Sequence, residues 1–92
     1  MTEIIDLSLL RDSRALLDKL LERHGLTYFL AREGKPLFAL DKSKVELVVR
    51  TTQAKLARRG ITPHPKALEH CRKEIRRELL RQITSAMMRV GY

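Results

Sequence analysis

Between Pro65 and Arg89 the apolar residues Leu68, Cys71, Ile75, Leu79, Ile83 and Met87 recur every three or four positions, continued by Val90 and widened by Leu80 and Ala86. That spacing follows the turn of an α-helix and does not fit the two-residue period of a strand. Arg72, Lys73, Arg76, Arg77, Arg81 and Arg89 take the other sides, and Glu69 and Lys73 form a favourable i,i+4 pair. A helix over residues 65–89 would be roughly 37 Å long, against a radius of gyration of about 12 Å for a compact chain of this size. It must span the whole domain or project from it to meet a partner.

The rest of the chain is punctuated around shorter periodic runs. Leu10, Leu17, Leu20 and Leu21, with Leu9 and Leu16 beside them, give a helix over about residues 8–24, capped by Ser8 and ended by Gly25 at C′. Ahead of it, Ile4, Ile5 and Leu7 suggest a short edge strand. Leu26 to Arg32 and Pro36 to Leu40 flank a Glu33-Gly34-Lys35 turn and read as a β-hairpin, with Tyr28, Phe29 and Phe38 as core aromatics rather than base-stacking platforms. Ser43-Lys44-Val45-Glu46 is a capping box that opens a second helix; Val45, Val48, Val49 and Leu56 form its apolar side and Gly60 ends it. Pro63 and Pro65 then forbid a continuous helix, and Pro65 suits the first position of the third. The elements define an α+β fold. Residues 1–60 form one unit and residues 61–92 a basic amphipathic helix for packing or partner binding.

Charge is unevenly divided. Residues 1–41 carry six Lys/Arg against seven Asp/Glu, a balance of −1, whereas residues 42–92 carry thirteen against four, a balance of +9. The asymmetry points to a polyanion or an acidic protein as partner of the second half. A chain of 92 residues makes one small domain, near the size at which oligomerisation adds stability. The opening MTEIIDLSLLRD has neither a basic n-region nor an unbroken apolar stretch, so a signal peptide is not expected, and no run is long enough to span a membrane. The single cysteine, Cys71, excludes an internal disulfide and suits the cytoplasm.

Residues for catalysis are scarce. His24, His64 and His70 lie on separate elements without ligand-like spacing, so neither a metal nor another cofactor is expected. Cys71 falls on the apolar stripe as a packed thiol. Gly34 has no second glycine or following Lys-Ser/Thr that would make a phosphate loop. Asp6, Asp12 and Asp18 are spaced by six and cannot share one helix face. An enzyme is not expected.

The order of these pieces resembles the N-terminal domain of the Phd/YefM antitoxin family over about residues 3–50. The likeness rests on Leu16-Leu17-Asp18-Lys19, on Leu30-Ala31-Arg32-Glu33-Gly34-Lys35-Pro36 with Ala39-Leu40, and on the capped helix at Ser43. It implies a homodimer joined through the hairpin sheet, and operator DNA gripped by Arg11 and Arg32, with Arg14 and Lys35 beside them. Ser13 departs from the family's usual apolar residue, and the tail is a long, regular basic helix where family tails tend to be flexible and wrap a toxin.

Three roles follow. The first is an antitoxin-like repressor that binds operator DNA and neutralises a cognate toxin with its C-terminal helix. The second is an interaction protein of a mobile element or phage, whose basic helices hold an acidic protein. The third is sequence-independent nucleic-acid binding by residues 42–92. The first depends on Arg11 and Arg32, the others on Arg72, Arg76, Arg77 and Arg81, with Ile75 and Leu79 at the centre of the partner-binding stripe.

Overall fold

The structure is a computed structural model that describes residues 7–31 and 40–89. Three α-helices account for most of them: α1 (Leu7–His24), α2 (Lys42–Arg58) and α3 (Pro65–Arg89), with a 3-10 turn, Leu26–Phe29, after α1. All three helices pack on one another, and the 3-10 turn touches each. The chain measures 47 × 24 × 24 Å, an elongation set by a 25-residue helix that at 1.5 Å per residue is about 37 Å long.

The α+β expectation is corrected here: among the described residues there is no strand, and the fold is helical. Where the first hairpin strand was expected, Gly25 takes φ 80° and the chain coils tightly, with the Tyr28 amide donating to the Gly25 carbonyl at 3.3 Å and the Leu30 amide to Thr27 at 3.1 Å. The coil drops Phe29 into the core with no exposed surface. A lone two-stranded ribbon is marginal in water, so burying an aromatic ring among three helices decides the conformation. Among the described residues the expected pairing is represented by one antiparallel bridge between Leu30 and Leu40, beside an Asp41 amide that donates to the Phe29 carbonyl at 2.8 Å. Arg32, the Glu33-Gly34-Lys35 turn, Pro36 and Phe38 lie outside the described residues, as do Ile4 and Ile5. Leu7, expected in a strand, is the first residue of α1.

Helix ends are set by local chemistry, at the start of α2 by a different residue from the one expected. Ser8 lies inside the first turn of α1 and is not its cap. Asp41, not Ser43, caps α2: its carboxylate accepts from the Ser43 amide at 2.9 Å and from the Ser43 hydroxyl at 2.6 Å. Glu46 is thereby released from the expected capping box and turns to Arg72 and Arg50. At the other end, Gly60 (φ 77°) closes α2 in a Schellman motif, its amide donating to Ala57 at 3.0 Å and that of Ile61 to Leu56 at 2.9 Å. Pro65 begins α3 as expected, and His64 caps it, with ring Nδ1 accepting from the Lys66 amide at 3.0 Å.

The Asp41 cap makes a pH-dependent contribution. The Ser43 hydroxyl, with smaller help from the Ser43 amide and the Lys44 charge, holds the Asp41 carboxyl below its usual value. A carboxyl whose folded value is the lower one contributes fully above the unfolded range and loses that contribution as pH falls through the folded value. Asp41→Ala should therefore cost about 0.5–2 kcal/mol at neutral pH. The gap from the parent should close in strong acid, as read by urea titration at both pH values.

The described residues share one hydrophobic core. Leu9 and Leu17 of α1, Val45, Val48, Val49 and Leu56 of α2, Ala67, Cys71, Ile75 and Leu79 of α3, and Phe29 form a single buried cluster. The stripe on α3 is docked as far as Ile83, while Leu80 and Met88 fall outside its buried line at 46% and 72% exposure. Two hydroxyls lie within the core. Thr52 donates to the Val48 carbonyl at 3.0 Å, but Ser13 Oγ is fully buried without a hydrogen-bond partner among the described residues. Leaving a buried hydroxyl unpaired costs about 1–3 kcal/mol, so Ser13→Ala should raise stability by about 1 kcal/mol, seen as a higher melting temperature without loss of helicity.

Candidate nucleic-acid interface

Three cations without an ion pair among the described residues converge between α1 and α2. Asp12, Ala15, Leu16 and Lys19 repeat at helical spacing along one side of α1, and Thr52, Lys55 and Arg59 along the facing side of α2; together they line a cleft of about 280 Å³. Lys19, Lys55 and Arg59 are exposed, and none makes an ion pair among the described residues. The one acid in the cleft, Asp12, is 3.4 Å from Arg11. Arg58, also exposed, is next to Arg59 at the end of the same helix. Cations at a helix C-terminus oppose its dipole and often have no other role. Here, however, the Leu56 and Ala57 carbonyls already receive amides of the Schellman turn, leaving these side chains free to face outward.

Apolar periodicity and motif spacing do not point to this cleft, whose two sides are far apart in the sequence. A readable signal was present: residues 47–68 contain Arg50, Lys55, Arg58, Arg59 and Lys66 and no Asp or Glu.

Of the residues expected to grip operator DNA, Arg11 and Arg14 are among those described. Arg11 is exposed beside Asp12, and Arg14 reaches Glu74 of α3 at 3.6 Å, a contact that ties two helices together. Arg32 and Lys35 lie outside the described residues.

The expected partner-binding set divides by depth. Ile75 and Leu79 are fully buried and belong to the core, which corrects their assignment to a partner surface. Around them, Arg77 is 3.5 Å from Glu74, and Arg81 makes a two-point bond to Glu78 at 2.6 and 2.7 Å. That bond is the main reason the Glu78 carboxyl is held below its usual value. Pairs this exposed contribute about 0–1 kcal/mol each. Arg72 donates through Nε to both oxygens of Glu46, while Arg76 is exposed without an ion-pair partner among the described residues.

The described aromatics are engaged with their neighbours. Tyr28 stacks on His24 with centroids 4.5 Å apart, meets Phe29 edge-on, and carries the Lys44 ammonium 4.0 Å above its ring. Such engagement suits a packing role better than a platform for bases. Cys71 is buried, no group of three or more metal-ligating side chains occurs among the described residues, and no described helix is long and apolar enough to cross a membrane. No protein-family model, curated protein or solved structure matches this chain.

Proposed function

We propose that this chain is a small helical nucleic-acid-binding protein that grips the phosphate backbone with Lys19, Lys55, Arg58 and Arg59. The supporting observation is the α1–α2 cleft, where three cations from two helices converge against a single acid that has its own partner. Phosphate binding needs little more than fixed positive charge, and the rigid packing of α1 on α2 supplies it. With Arg11 and Arg14 beside carboxylates, the weight of the reading moves from the start of α1 to the end of α2. Contacts of this kind do not read base edges, so the mode is sequence-independent. We place the protein in the cytoplasm, where a lone cysteine stays reduced.

Fluorescence anisotropy with labelled duplexes tests this. Binding should be similar for unrelated sequences and weaken steeply as salt rises, because each phosphate contact releases counterions. A salt-resistant complex with one sequence, or no binding at low salt, would reject it.

A further inference from the structure

A second cleft, of about 210 Å³, lies between α2 and α3 and is lined by Leu40, Lys42, Val45, Glu46, Glu69, Arg72, Lys73 and Arg76. Its chemistry differs from that of the α1–α2 cleft. Leu40 and Val45 provide an apolar floor, and the aliphatic stems of the long cations extend it. Lys42, Lys73 and Arg76 are exposed around it, with no ion-pair partner among the described residues.

Arg72 gives the cleft its direction. Its Nε donates to both carboxylate oxygens of Glu46, and Glu46 is also 3.8 Å from Arg50. The guanidinium is thus fixed in orientation, while its two terminal amino groups make no hydrogen bond among the described residues. A planar fork with both tips unused matches the two oxygens of a carboxylate.

We propose that this cleft docks an acidic peptide segment of a protein partner, one bulky apolar side chain resting on Leu40 and Val45 while flanking carboxylates meet Arg72, Lys73 and Arg76. Charge complementarity selects the occupant. The four lining cations outnumber Glu46 and Glu69, and Glu46 is already neutralised by two arginines. An apolar floor adds nothing for a phosphate backbone but stabilises a peptide that carries an aliphatic or aromatic anchor. The proposal does not depend on nucleic-acid binding, since the two clefts share no lining residue.

The test is a titration of the full chain with a short labelled peptide containing one Phe flanked by Glu and Asp, followed by NMR and anisotropy. A second peptide with Ser in place of Phe and an unlabelled DNA duplex serve as competitors. The Phe peptide should bind saturably and perturb the amides of Val45, Arg72 and Lys73. The Ser peptide should bind about tenfold more weakly, and Lys73→Glu with Arg76→Glu should weaken the Phe peptide by about tenfold or more. Arg72→Lys, which keeps the charge and loses the fork, should weaken it as well, and Lys55→Glu with Arg59→Glu should leave it bound. Circular dichroism confirms that each variant is folded. Equal affinity for both peptides, displacement of the peptide by duplex from this cleft, or no saturable binding up to about millimolar concentration would overturn the proposal.

Discussion

Ile75→Asp should unfold the protein. Ile75 has no exposed surface and belongs to the cluster that α3 shares with α1, α2 and Phe29. Aspartate there would lose the apolar contacts and bury a carboxyl with no cation in the cluster to pair with it. The combined cost is about 4 kcal/mol or more, a large part of the roughly 5–15 kcal/mol that holds a domain of this kind together. Leu79→Asp should behave alike, whereas Ile75→Val should cost only about 0.5–1.5 kcal/mol. Arg76→Ala, on the exposed side of the same helix, should melt like the parent. Circular dichroism melts of the four variants test the set together. A parental melt for either aspartate variant would mean that α3 is not docked through this stripe.

Reversing charge at the end of α2 should have the largest effect on binding. If Lys19, Lys55, Arg58 and Arg59 each neutralise one phosphate, log K against log salt should have a slope of about −3 to −4 on duplex DNA. Lys55→Glu with Arg59→Glu removes two of the four contacts and adds repulsion. The slope should fall by about 2, and affinity at low salt by more than tenfold. Both side chains are exposed and make no ion pair among the described residues, so the melting temperature should hardly move. Arg11→Ala provides the contrast, since it should leave the slope near that of the parent. A double variant that binds like the parent would remove the α1–α2 cleft from consideration, and a loss with Arg11→Ala would return the interface to the start of α1.

The helices and the connection between α2 and α3 were legible because their signals are local. The three-and-four spacing of Leu68, Cys71, Ile75, Leu79 and Ile83 registers each residue against the next turn of its own helix, and all but Leu68 are buried as that spacing requires. Pro65 fixes its own φ and so marks its own boundary. Gly25 and Gly60 mark the ends of α1 and α2 because positive φ is open to glycine at no steric cost. Caps were less legible where neighbours compete: Asp41, Ser43 and Glu46 all carry suitable oxygens, and in the fold Asp41 takes the cap while Glu46 meets Arg72 and Arg50. The α1–α2 cleft was legible as an acid-free run but not as a cleft, because Lys19 is more than thirty positions before Lys55 and only packing brings them together.

The sequence by itself determined that the described residues make three amphipathic helices, where they end, and that the chain's positive charge gathers after residue 41. Each of those properties is set within a few residues, by helical periodicity, by the backbone limits of proline and glycine, or by simple counting. Tertiary structure alone decided the fate of residues 26–29 and of α3. An alternating apolar segment can pair as a strand or coil to bury one ring, and the groove that receives Phe29 exists only once three helices have met. The same core determined that α3 lies docked rather than projecting, since a stripe ending in Ile83 is equally suited to a partner until α1 and α2 cover it.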